Sequence, residues 1–181
     1  MKRLITYFIS RIRGEYTTKA LIKRGLKVGQ HFNRLIGTII DPSHCWLIEI
    51  GNNVTLAPRV HILAHDASTK LLLGYTRIGQ VIIGSNVFIG AESVILPNVS
   101  ICDNVIIGAG SVVTKSILQS GIYAGDPACF ICSYEDYLSK KKKEIDCSKK
   151  FSVDYTLRGN ITVEKKKEMK DYLKENVGYV E

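Results

Sequence analysis

The chain has 181 residues, enough for one apolar core and too few for two full domains. Its net charge of +8 raises a nucleic-acid reading, but the lysines crowd at 140–143, 149–150 and 165–167, as a solvated tail does, so no nucleic-acid partner is expected. Five cysteines, Cys45, Cys102, Cys129, Cys132 and Cys147, make an odd number without secretory spacing, and no segment is apolar enough to span a bilayer. A reducing cytoplasm is the expected setting.

Residues 1–25 place Leu4, Ile5, Phe8, Ile9 and Ile12 at helical spacing between basic residues, which predicts an amphipathic helical cap. A basic helix of this kind also suits weak contact with a membrane surface. Residues 26–131 carry the patterned region. Within it, Asp41-Pro42-Ser43-His44-Cys45-Trp46 interrupts the pattern with polar residues, which suggests an acceptor site. A second interruption, over residues 64–81, must leave the regular structure as an excursion. Its Leu71-Leu72-Leu73 is too apolar for a free loop and is expected to bury against another copy of the chain. Residues 132–181 read as a charged helical extension, with helices from Glu135 to Ile145 and from about Val163 to Glu175.

The pattern itself is a period of six. Aliphatic residues recur at Ile50, Leu56 and Ile62, then at Ile83, Ile89, Ile95, Ile101, Ile107 and Val113. Four residues later stands a column of mostly small or β-branched side chains, Val54, Val60, Val87, Ser93, Val99, Val105, Ser111 and Ile117. Neither a helix nor an isolated strand has this period; a parallel β-helix does, each hexapeptide forming one side of a three-sided coil. Asn53, Asn86, Asn98, Asn104 and Gly110 fall where corners are needed and tolerate a positive φ, with Pro58 and Pro97 just before such corners. On an unbroken grid, Ile83, Ile101 and Gln119 stack in one column; the period ends after Leu118, and Gly121-Ile122-Tyr123-Ala124-Gly125-Asp126-Pro127 closes the coil.

These residues resemble the hexapeptide-repeat acyltransferases with a left-handed parallel β-helix, closest to the galactoside, maltose and capsular-sugar O-acetyltransferases. The matching stretches are Ile50-Gly51-Asn52-Asn53-Val54, His65-Asp66, Val87-Phe88-Ile89-Gly90-Ala91, Ile107-Gly108-Ala109-Gly110-Ser111-Val112-Val113-Thr114-Lys115 and Ala124-Gly125-Asp126-Pro127-Ala128. The resemblance implies the left hand of the coil, a homotrimer, acetyl-CoA as co-substrate without a metal, and a sugar or related small hydroxyl acceptor, as in polysaccharide biosynthesis.

O-acetylation needs a base for the attacking hydroxyl and donors for the oxyanion. Of His31, His44, His61 and His65, His65 has the family's flanking pattern and is the expected general base. Adjacent residues rarely pair, so Asp66 is not assigned as its partner. The resemblance places Asp41, with His44 beside it, at the acceptor, and Phe88, Ala91, Ala109, Thr114 and Lys115 along the cofactor. Two departures stand out: Phe88 where relatives have Trp, and Cys129 where they have a basic residue. Two other classes use the same coil, a γ-carbonic-anhydrase-like zinc enzyme, with His61 and His65 as two of three ligands, and a non-catalytic scaffold.

Overall fold

The computed structural model describes residues 16–181, so most of the expected N-terminal cap lies outside the described residues. Helix α1 (Thr18–Lys23) is capped by Thr17, whose hydroxyl accepts from the Ala20 amide. Its Leu21 is fully buried and joins the interior formed by the coils.

Each coil lays down three short strands. The first holds β1 (Lys27–Val28), β2 (Asn33–Arg34) and β3 (Ile39–Ile40), and the second β4 (Ile48–Ile50), β5 (Thr55–Leu56) and β6 (His61–Ile62). The excursion follows as β7 (His65–Asp66), helix α2 (Lys70–Leu73) and β8 (Arg77–Ile78). The third coil is β9 (Val81–Ile83), β10 (Phe88–Ile89) and β11 (Val94–Ile95), and the fourth β12 (Val99–Ile101), β13 (Val105–Ile107) and β14 (Val112–Val113). Strands β15 (Gly121–Ala124) and β16 (Cys129–Cys132) close the stack.

Corresponding strands pair in parallel to give three faces, β1-β4-β9-β12, β2-β5-β10-β13-β15 with β16 at its edge, and β3-β6-β11-β14. The repeat aliphatics form ladders inside: Ile50, Ile83 and Ile101 are each at most 4% exposed, and Leu56, Ile62, Ile89, Ile95 and Ile107 are all 0% exposed. Branched side chains suit this role because strand pairing stacks identical shapes directly above one another. The second column is equally buried, and its two serines are satisfied, Ser93 and Ser111 each donating to the Gly108 carbonyl at 2.9 and 2.7 Å.

Corners are made by residues in the left-handed region. Asn53, Asn86, Asn98, Asn104 and Gly110 have φ of 55°, 58°, 66°, 57° and 68°. Asn53 donates to Asn86 at 3.0 Å and Asn86 to Asn104 at 3.1 Å, so three of the corners form a side-chain ladder. Gly51 is required for another reason, close approach: a Cβ there would lie 2.7 Å from the Gly84 carbonyl carbon in the next coil.

Two expectations are corrected. Ile117, not Gln119, bridges to Ile101, because the last coil is two residues short. The closing segment stacks as expected, with Tyr123 paired to Ile107. The excursion is not loop throughout: β7 and β8 form an antiparallel ribbon, and the Gly79 amide closes its base on the Ala64 carbonyl at 3.0 Å.

A second compact unit comprises residues 135–181. Its helices are α3 (Tyr134–Cys147) and α4 (Val163–Tyr172), the latter ending short of Glu175. Between and after them run β17 (Lys149–Phe151) and β18 (Gly178–Val180), a parallel pair that period reading cannot find in so few residues. Phe151, 2% exposed, packs against the rings of Tyr155 and Tyr172 and anchors this unit.

Candidate active site

The number of residues per coil locates the site. Val81 pairs with Val99, eighteen residues on, the regular value. Lys27 pairs with Glu49, twenty-two on, and Ile48 with Val81, thirty-three on. Ile101 bridges to Ile117, only sixteen on. Since Ile40, Ile62 and Val113 all keep their place on the third face, the two insertions and the deletion all occur after that face. They share one edge of the prism. Asp41, Leu63, Leu96 and Thr114 follow one another along it, joined by hydrogen bonds from Asp41 N to Ile62 O, Leu63 N to Ile95 O and Leu96 N to Val113 O.

The four-residue insertion turns on Asp41. Its Oδ1 accepts from the Ser43 and His44 amides at 2.9 and 3.3 Å, and its Oδ2 accepts from the Ala64 amide at 3.0 Å. The same Oδ2 is hydrogen-bonded to Nδ1 of His65 in the longer insertion. Asp41 is 1% exposed. Burial pushes its carboxyl up, but the hydrogen bonds from His65, Ser43 and Ala64 outweigh that and hold it below the usual carboxylate range. An ionised carboxylate can only accept, so Nδ1 of His65 donates in this bond, which leaves Nε2 as the ring nitrogen that can exchange a proton with a substrate.

The folded-state pKa of Asp41 is depressed, so its contribution to stability is complete above the ordinary value of 3.8 and fades as pH falls below it toward the folded value. Asp41→Asn should therefore melt well below the parent at pH 7, with the gap narrowing at about pH 3. Melting curves at the two pH values check this; an equal gap at both would refute it.

His65 is one-third exposed at its side chain. It lines a pocket of about 410 Å³ with Leu63, Asp66, Ala67, Arg77, Leu96, Pro97 and Thr114. The His44 ring lies 5.1 Å from the His65 ring and 5.3 Å from Trp46, which is 53% exposed. Nδ1 of His44 is sealed from solvent and has no hydrogen-bond partner among the described residues. Arg77 escapes sequence reading; only the pairing of Asp66 with Arg77 across the ribbon brings it back to the point where the chain left the coil. Asp66 itself accepts from the Ser68 amide at 2.9 Å, a turn within the excursion.

The bacterial transferase hexapeptide (six repeats) family matches residues 80–115. Protein CapG of Staphylococcus aureus is 35% identical over 157 residues, which is 84% of this chain and 90% of CapG. The chain belongs to the hexapeptide-repeat acyltransferases. Among solved structures it is similar to a maltose O-acetyltransferase from Clostridium difficile 630, 38% identical with a TM-score of 0.54 over 60% of this chain and 59% of that one. It is also similar to a galactoside acetyltransferase in complex with coenzyme A, 33% identical with a TM-score of 0.57 over 64% of this chain and 58% of that one. The coil is thus the left-handed parallel β-helix of this family. The alignment spans about three fifths of the length of those two solved structures.

In this hexapeptide-repeat acyltransferase the expected site residues fall into two groups. Asp41, His44, His65 and Thr114 stand at the irregular edge, with exposed Lys115 next to Thr114. Phe88, 44% exposed, with Ala91 and Ala109 stands toward the opposite edge of the third face, where the Gly110 amide bonds to the Ala91 carbonyl at 2.8 Å. One chain does not bring the two groups together. His61 lies on β6, paired with Val94, and is outside the one cluster of ligand-spaced groups among the described residues, Asp41, His44 and His65.

Proposed function

We propose that the chain moves an acetyl group from acetyl-CoA to a hydroxyl of a sugar or related small acceptor, with His65 as general base. The observation that carries this is the couple of buried, ionised Asp41 with His65, whose side chain lines a pocket together with Thr114. Nε2 of His65 takes the acceptor's hydroxyl proton as its oxygen attacks the thioester carbonyl. When the tetrahedral intermediate collapses, the C–S bond breaks and the imidazolium returns the proton to the leaving thiolate. Asp41 fixes the ring and stabilises the imidazolium between these steps.

Asp41 was expected at the acceptor, but both its oxygens are engaged inside the protein, so we read it as the residue that orients the base. Acceptor contact then falls to His44, with Trp46 as an exposed aromatic wall beside it. The relatives named for galactoside and maltose support a sugar acceptor. A role in polysaccharide biosynthesis in the cytoplasm follows as part of this reading. Among the described residues no helix is long and apolar enough to cross a membrane; the suggested weak surface contact rests on residues outside them.

The split of Phe88, Ala91 and Ala109 from Thr114 and Lys115 is resolved if the cofactor lies between two copies, one supplying each edge. Leu71, Leu72 and Leu73 of the excursion, 93, 82 and 68% exposed, supply an apolar surface for that neighbour. A homotrimer closes such a head-to-tail contact. Light scattering at micromolar concentration should return three times 20.2 kDa; a monomer mass would remove the composite cofactor site.

Calorimetry tests the cofactor reading. Acetyl-CoA should bind equally well before and after EDTA treatment, and Lys115→Ala should weaken it by about tenfold, as for the loss of one phosphate contact. Failure to bind acetyl-CoA would leave the scaffold reading, and activity lost with EDTA would favour the zinc enzyme.

A further inference from the structure

Asp41, His44 and His65 each offer one ligand atom, and these atoms lie within 4.8 Å of one another. Two imidazoles and a carboxylate suit Zn²⁺ and its neighbours Co²⁺ and Fe²⁺, whereas Mg²⁺ and Ca²⁺ take oxygen ligands. A second, independent observation points to a missing partner: the sealed Nδ1 of His44 makes no hydrogen bond to any of the described residues, which is uncommon for a buried polar atom. Nδ1 of His65 and Oδ2 of Asp41 already touch. Ligands on one zinc ion, at bond lengths of about 2.0–2.2 Å, stand roughly 3–3.5 Å apart, so these two atoms have to part slightly while the His44 ligand atom closes in by at most about 1.5 Å. The His44 ring can supply this by turning about its side-chain bonds, because it is only half-buried and sits on the short insertion at the surface edge of the coil.

We propose that Asp41, His44 and His65 bind a Zn²⁺-class ion and that this ion switches the transferase off. The switch rests on His65 being the general base, whereas the binding site does not. A metal on Nδ1 of His65 displaces the proton shared with Asp41 to solvent. The neutral ring then carries its proton on Nε2, taken up from solvent, so the nitrogen that faces the acceptor has no lone pair to receive the hydroxyl proton. The ion is thus an inhibitor, and the reaction itself needs none.

The test uses the full chain, dialysed against EDTA and then freed of chelator. Titration with ZnCl₂ in a calorimeter should show one ion per chain, and thiol release from acetyl-CoA should fall with Zn²⁺ or Co²⁺, recover with EDTA and ignore Mg²⁺. His44→Ala should weaken zinc at least tenfold while circular dichroism stays that of the parent. His44→Gln, nearer in size and without an imidazole nitrogen, replaces it if the alanine variant does not fold. His61→Ala, outside the cluster, should bind zinc as the parent does. Absence of stoichiometric binding, or zinc affinity unchanged in the folded His44 variant, overturns the site. Stoichiometric binding that leaves the rate unchanged overturns the switch. If His65→Ala keeps its rate while zinc binding still depends on His44, the base assignment has failed and the metal site has not.

Discussion

His65→Ala should lower turnover by about two to four orders of magnitude, the usual worth of a positioned proton acceptor. The fold should survive, because the side chain is one-third exposed and lies outside the aliphatic ladders. Asp41 loses one donor but keeps three, the Ser43, His44 and Ala64 amides. Its carboxylate therefore stays satisfied, and acetyl-CoA should bind nearly as before, since the residue is remote from the adenosine end in this reading. His31→Ala and His61→Ala are the controls. His31 is an exposed corner residue with φ 54° and His61 pairs along β6, so both should cost little rate. Full activity in His65→Ala with loss in His61→Ala would move the base to the other histidine and restore the zinc-enzyme reading.

Ile107→Asp should leave no soluble, folded protein. Ile107 is 0% exposed and pairs with Ile89 below it and Tyr123 above. The interior there is a stack of aliphatic side chains, which offers a carboxylate no charged partner among the described residues. A buried carboxyl without a hydrogen-bond partner costs several kcal/mol even once it has protonated to escape the larger cost of the charge, against a total stability of about 5–15 kcal/mol for a domain. The damage also spreads, since in a coil each turn is supported by the one beneath it. Ser100→Asp, on the outward side of the neighbouring strand, changes the same charge without entering the ladder and should remain folded. Soluble expression and far-ultraviolet circular dichroism of the pair decide it; a normally folded Ile107→Asp contradicts the coil.

The interior was legible because side-chain period maps directly onto strand stacking. From Ile83 to Val113 every sixth residue is aliphatic and every coil has eighteen residues. The corners were legible because few residues accept a positive φ, although Arg59 and Glu92, at 60° and 63°, do so without advertising it. The first coil was obscured by Arg34, which takes the position of an aliphatic residue and instead donates to the Tyr16 and Thr38 carbonyls. The last was obscured by its two missing residues.

At the site, the type and flanking of His65 could be read locally, whereas its partner could not. Asp41 is twenty-four residues away, and only the stacking of one insertion on another along a single edge brings them together. Arg77 was hidden for the same reason, since its place depends on how the β7–β8 ribbon folds back. Irregular coil length after the third face is a signal that a count of residues between ladder positions could have supplied.

Acetyl transfer to a hydroxyl is read out by thiol release from acetyl-CoA across a panel of hydroxylated acceptors, with product mass determined for each. Release should depend on the acceptor and be strongest with a sugar, each turnover should leave the product roughly 42 Da heavier, the mass of an added acetyl group, and His65→Ala should lower the rate by about two to four orders of magnitude. Thiol release that no hydroxylated acceptor accelerates, or that proceeds at parental rate without His65, would contradict acetyl transfer with His65 as general base.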